Sequence, residues 1–181
     1  MPIRAVLFDL DNTLTHRDQS IQRYSEFLLQ QYQLQLFAHD LDKIQQIIRR
    51  IDNGGYPQKE QLTHPSIAAS VAHALRQELD WQTEADFQEL TQFWFEYFGQ
   101  CAVAMAGAVD LLKMLKQQDY ALAVVSNGGY ATRLNILDGL GFKEYFDLIV
   151  SSEQAGISKP HQQIFLHTAE SLGVQPSECM F

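Results

Sequence analysis

Cysteine is scarce in this chain, and so are basic residues. Cys101 and Cys179 stand far apart, without metal-ligand spacing and among apolar neighbours. They read as small core residues, and a reducing cytoplasm fits that usage. Lys and Arg together number 13 against 22 Asp and Glu, a formal charge of −9, and the only adjacent basic pair is Arg49 and Arg50. That leaves no stripe able to track a phosphate backbone, so nucleic acid is not expected as a partner. Long apolar runs are missing too. No 18 apolar residues run together, and the N-terminal run is broken by Asp9 before it reaches the length of a signal-peptide core. Neither a membrane nor export is expected.

What is present is the composition of a folded protein. Hydrophobic residues make up 46% and charged residues 19% of 181 residues, enough for one domain or two small ones. The run Ile3 to Phe8 reads as a buried strand bounded by Asp-Asn turn chemistry. From about Ser20 the period becomes helical: Ile44, Ile47, Ile48 and Ile51 share one face, and Asn53-Gly54-Gly55 stops that helix. Further helices are predicted from Ile21 to Tyr32, Ile67 to Leu79 and Phe87 to Phe98, the last opened by Thr83 with Asp86 three residues on.

After "CAVAMAG" the pattern changes again. A helix from Val109 to Gln117, a strand over 120–126, a helix from Tyr130 to Leu140 closed by Gly141, a strand over 146–152 and a helix from Pro160 to Leu172 lead to "ECMF", the start of another strand. Alternating strands and helices predict an α/β fold, a Rossmann-like parallel sheet. The core is 1–15 with 101–181, and an all-helical block, 16–100, is inserted after the first strand.

Ligands of open parallel sheets gather at the carboxyl ends of strands. Asp9 and Asp11 follow the first strand, Ser126-Asn127-Gly128 the second, and Lys159 lies in the loop after the third. Each is ordinary alone: Ser-Asn-Gly is common turn composition, and Lys159-Pro160 suits a helix start. Their order and shared edge make the case. If strand geometry persists through the turn, residues i and i+2 point the same way, so both carboxylates can face one site.

These residues carry a resemblance to the haloacid dehalogenase-like (HAD) hydrolase superfamily with a helical cap. "DLDNT" (Asp9, Asp11, Thr13) matches its first motif, Ser126 in "VVSNG" its second and Lys159 in "ISKP" its third. "PHQQIFLHTAESLGV" resembles the helix after that lysine, with His161 where aspartate is frequent. The resemblance implies a phosphatase in which Asp9 attacks a phosphate monoester and Asp11 protonates the leaving alkoxide, then activates water to hydrolyse the aspartyl-phosphate. A unit charge facing a near-dianion at about 4 Å costs roughly 8 kcal/mol at an effective dielectric of 20, so cations are required. The resemblance supplies Lys159 and Mg²⁺, the latter held by Asp9 and the backbone carbonyl of Asp11. Ser126 and the backbone N–H groups of Asn127 and Gly128 would hold phosphoryl oxygens, and Thr13 reads as a structural hydrogen-bonder. Expelling a halide needs no proton whereas expelling an alkoxide does, so Asp11 favours phosphate esters over haloacids.

The family's fourth motif, an acidic pair after the next strand, lies beyond Phe181, so the core reads as truncated at its C-terminus. That implies weakened Mg²⁺ binding and impaired turnover, and an unpaired edge on strand 3–8 that invites self-association. In the cap, with hinges near Thr15 to Asp18 and Gln100 to Ala106, Arg49, Arg50 and Tyr56 read as a solvated helix end and loop, or as substrate contacts. Phe87, Phe93, Trp94, Tyr97 and Phe98 read as packing. His16 stands beside the first motif and could line the entrance, whereas His39, His64, His73 and His167 read as surface or helix packing; none is spaced as a metal site. The expected substrate is a small phosphorylated metabolite. A phosphomutase using the same aspartates and a catalytically inactive binding protein are the alternatives. A phospho-accepting receiver domain also places aspartate, Ser/Thr and lysine at strand ends, but has no room for the insertion.

Overall fold

The computed structural model describes residues 2–38 and 40–181; His39 lies outside the described residues. The chain divides into two compact units, Met1–His16 with Ala104–Phe181, and Arg17–Val103.

The first unit is a parallel four-stranded sheet with helices, the Rossmann-like α/β fold. Its strands are β1 (Ala5–Phe8), β2 (Ala121–Ser126), β3 (Leu148–Ser151) and β4 (Cys179–Met180), in the order β3-β2-β1-β4. Around them run α5 (Ala108–Gln117), α6 (Tyr130–Leu140), α7 (Ser152–Ala155) and α8 (Gln162–Ser171). β1 pairs with β2 from Ala5↔Ala121 to Phe8↔Val124, and β2 with β3 from Ala123↔Leu148 to Ser126↔Ser151. This register brings the carboxyl ends of three strands to one edge.

The sheet is apolar on both faces, as parallel sheets with helical crossovers are. Leu7, Ala123, Val125 and Val150 point to one side, where Ile164, Phe165 and Leu172 meet them. Each leucine, isoleucine or valine among them contributes about 1.5–3 kcal/mol when fully buried. Asp147 fixes the start of β3: its Oδ2 accepts from the Leu122 N–H at 2.8 Å, and both its oxygens accept from Lys116 Nζ at 3.0 Å.

Two expectations need correction here. The outer edge of β1 is not wholly unpaired, because β4 joins it at Ala5↔Cys179 and Val6↔Met180, and Arg4 N–H donates to the Glu178 carbonyl. The helix after Lys159 begins at Gln162 rather than Pro160; the Lys159-Pro160 bond is cis. His161 caps that helix, its Nδ1 accepting from Gln163 N–H. Capping needs only a side-chain acceptor, which accounts for His at a position where Asp is frequent.

The second unit is all helical: α1 (Arg17–Tyr32), α2 (Leu41–Asp52), α3 (Ile67–Glu78) and α4 (Phe87–Tyr97). On α2, Ile44, Ile47, Ile48 and Ile51 are all buried, Asp40 caps the start by accepting from Lys43 N–H, and Asn53 ends it at φ 47°. α4 is capped by Asp86, which accepts from Glu89 N–H; the expected Thr83 cap is not used, because the helix starts one residue after Asp86. Tyr24 packs against Phe93, Trp94 and Phe98, and Phe27 against Phe93 and Tyr97, so the aromatic set forms this unit's interior. A buried ion pair crosses it: Arg17 donates from NH2 to Asp52 Oδ1 at 2.6 Å and from Nε to Oδ2 at 3.1 Å. Arg49 pairs with Asp18 and Arg50 with Glu78.

Among the described residues, no helix is long and apolar enough to cross a membrane.

Candidate active site

β1 delivers two carboxylates because its apolar run ends in a tight loop rather than continuing. Leu10 is fully buried and its carbonyl accepts from the N–H groups of Leu14 and Thr15, both at 3.0 Å, while Asn12 takes a left-handed φ of 59°. The hydroxyl that ties this loop belongs to Thr15, whose Oγ1 donates to the Leu10 carbonyl at 3.1 Å. Thr13, expected in that role, is exposed.

The two aspartates meet different cations. Lys159 Nζ lies 2.6 Å from Asp9 Oδ1, with side chains only 14% and 18% exposed, across 150 positions of sequence. Asp11 Oδ2 accepts from Arg133 NH1 at 2.5 Å, and this pair is more deeply buried, at 8% and 7%. The same Arg133 nitrogen lies 3.2 Å from Ser126 Oγ, so Asp11, Ser126 and Arg133 form one buried cluster. Asp9, Asp11, Ser126 and Lys159, assembled from the ends of β1, β2 and the loop after β3, are therefore brought together.

Asn127 and Gly128 are positioned differently. The Asn127 side chain turns to the Lys159 loop, and Gly128 N–H donates to Ser152 Oγ at 2.9 Å. Gly128 sits at φ 125°, a conformation that disfavours any side chain, and a Cβ there would lie 3.0 Å from Arg133 NH2. Beside the site, Val6, Phe8, Asp9, Leu111, Leu115 and Phe181 line an apolar groove of about 410 Å³. The Lys159 ammonium lies 5.3 Å from the Phe181 ring centroid, a cation–π contact.

Arg133 is the residue that motif reading misses. Its signal lies in helical spacing: Arg133, Ile136 and Leu137 fall at i, i+3 and i+4, and all three are buried, so a charge sits on an apolar face of α6. Burial pushes the thiols of both Cys101 and Cys179 above their usual range; the effect of Arg23 on Cys101 opposes this without reversing it.

The sequence profile of haloacid dehalogenase-like hydrolases matches residues 3–181. The chain belongs to that family. Among its relatives, a phosphoglycolate phosphatase of Thiobacillus denitrificans is 24% identical over 185 residues, covering 99% of this chain and 74% of the relative. A glyceraldehyde 3-phosphate phosphatase of Methanopyrus kandleri is 32% identical over 73 residues, 40% of this chain and 31% of that protein. Among solved structures, a defluorinating L-2-haloacid dehalogenase superposes with a TM-score of 0.72 at 23% identity, over 98% of this chain and 72% of its own. This HAD-like hydrolase thus shares its fold with a dehalogenase and is similar in sequence to proteins named as phosphatases.

The donors available for a metal are oxygens. The carboxylate of Asp9 with the backbone carbonyl of Asp11 suits Mg²⁺, which one or two protein oxygens can hold with water and phosphate oxygens completing the sphere. Among the described residues, no three His, Cys, Asp or Glu side chains cluster tightly enough to form a complete protein cage.

Proposed function

We propose that this chain hydrolyses small phosphate monoesters through an aspartyl-phosphate. The observation that carries the reading is the second carboxylate: Asp11 follows Asp9 by two residues, in the loop that β1 runs into. A haloacid dehalogenase expels a stable halide, whereas an alkoxide leaving group needs a proton that a second carboxyl can deliver. The relatives named as phosphatases support the same direction.

In this reading Asp11 leaves Arg133 as substrate binds and takes up a proton from solvent; an Asp9 oxygen then attacks phosphorus and the ester P–O bond breaks, with Asp11 passing that proton to the departing oxygen. Asp11, now ionised, takes a proton from water, whose oxygen attacks the phosphorus of the aspartyl-phosphate, releasing inorganic phosphate and restoring Asp9. Lys159, already in contact with Asp9, offsets negative charge on the transferring group, and Ser126 donates to a phosphoryl oxygen. Mg²⁺, held through Asp9 and Asp11, would supply further neutralisation of those oxygens.

The test is a side-by-side assay of phosphorylated sugars, nucleotides, short phosphorylated acids and 2-haloacids, with Asp9→Asn as control. Phosphate release from at least one ester, abolished in Asp9→Asn, is the expected result; halide release without phosphate release would overturn it. Analysis for isomerised sugar phosphates separates a phosphomutase, and no turnover with wild-type protein would leave a binding protein.

A further inference from the structure

The cluster around Arg133 contains more donor capacity than its protein acceptors use. Its guanidinium is permanently charged and 6% exposed as a residue, and taking such a cation out of water costs several kcal/mol. NH1 is shared between Asp11 Oδ2 and Ser126 Oγ, while the buried Nε–H has no hydrogen-bond partner among the described residues. A buried donor left unmade is itself destabilising, by about 1–3 kcal/mol. The loop also makes room for this group, since Gly128 is the residue that leaves space for NH2. A stability role alone would be served better by an apolar side chain beside Ile136 and Leu137.

We propose that Arg133 is a phosphoryl-binding residue: its guanidinium, held at rest by Asp11 and Ser126, passes to the oxygens of the substrate's phosphoryl group. A phosphoryl group offers three acceptor oxygens to a planar fork of donors, the pairing for which Arg is better shaped than Lys. Ser126, one of its resting partners, is the side chain assigned to the same oxygens, so the anion would settle between them. The exchange frees Asp11 from its resting cation when substrate arrives. The inference rests on the phosphatase reading and adds a substrate contact to it.

Inorganic phosphate is the probe, titrated calorimetrically into wild type, Arg133→Gln and Arg133→Lys with MgCl₂ present, alongside its inhibition of ester hydrolysis. Arg133→Gln is expected to weaken phosphate binding and raise KM by about ten- to a hundredfold, the loss typical of a hydrogen bond to a charged group. Arg133→Lys should recover part of that loss, at least threefold relative to Gln, because a point charge remains. Phosphate affinity within twofold of wild type in the folded variants would overturn the proposal. If circular dichroism shows Arg133→Gln unfolded, the uncharged Arg133→Met decides in its place: affinity within threefold of wild type overturns the proposal, and any weaker binding supports it. Wild-type protein that neither binds phosphate nor releases it from esters would instead sink the phosphatase reading beneath it, whereas Asp9→Asn that binds phosphate without turnover leaves that reading in place.

Discussion

The side-chain amide of Asn127 holds the main chain of Lys159 on both sides. Asn127 Oδ1 accepts from Lys159 N–H at 2.8 Å, and Nδ2 donates to the Lys159 carbonyl at 3.2 Å. The loop after β2 thereby fixes the backbone from which the lysine reaches Asp9, and a shift of about 1 Å in such a group can cost on the order of a hundredfold in rate. Asn127→Ala is expected to lower kcat by about ten- to a hundredfold while leaving the melting temperature within a few degrees. Asn127→Asp keeps the acceptor and should fall between. Steady-state kinetics of the two variants decide it, and an unchanged kcat in Asn127→Ala would show that Lys159 is placed by other contacts.

The Arg17–Asp52 pair is the most deeply buried charge in the helical unit, with side chains 3% and 0% exposed, and Asp52 Oδ2 also accepts from Gly55 N–H at 3.0 Å. Removing one partner strands the other, so Asp52→Asn and Arg17→Met should each destabilise by about 3–5 kcal/mol. The double variant should lose less than the sum. Trp81 and Trp94 both belong to this unit, so their fluorescence in a urea titration reads it directly.

Asp147 gives the sheet unit a pH-dependent term. Burial alone would push its carboxyl up, but the Leu122 N–H and the Lys116 ammonium outweigh it and hold the group below the usual aspartate range. A folded value below the unfolded one means stability that is fully present above about pH 4 and lost as pH falls through the folded value. The gap in urea midpoint between wild type and Asp147→Asn should stay constant from pH 8 to 5 and close in acid. A gap that widens on acidification would contradict the assignment.

Tyr24 carries a hydroxyl that is fully buried and, among the described residues, without a hydrogen-bond partner; burial drives its pKa well above the tyrosine range. Its ring is already supported by Phe93, Trp94 and Phe98. Tyr24→Phe should therefore leave the thermal midpoint unchanged or raise it, by up to about 1 kcal/mol in stability. A loss above about 1 kcal/mol would reveal a partner for that oxygen.

Much of this molecule is legible in its sequence because simple periodicities govern it. The short apolar run ending at Phe8 is a strand, the isoleucines of α2 are one buried face, and the strand-helix alternation after residue 104 is a parallel sheet. Asp9 and Lys159 are readable as neighbours despite their separation, since both follow strands whose carboxyl ends must share an edge. Local chemistry was less legible. Thr13 and Thr15 are equivalent in composition, and only the fold of the loop over the Leu10 carbonyl chooses Thr15. Thr83 and Asp86 are both good caps, and the helix selects whichever lies directly before its first turn. Arg133 escaped because motif matching stops at the strand end, whereas the residue that completes the cluster enters one helical turn later.

The antiparallel bridge between Thr15 and Ala104, with Met105 N–H donating to the Leu14 carbonyl at 2.9 Å, closes the loop from which the helical unit emerges. Paired backbones of this kind lie about 5 Å apart. Any module whose own ends come within that distance could be spliced between those two residues without re-pairing a strand of the sheet. The insert and the sheet are thereby separable along the chain: the helical stretch can be exchanged wholesale while Asp9, Asp11 and Lys159 keep the backbone that holds them.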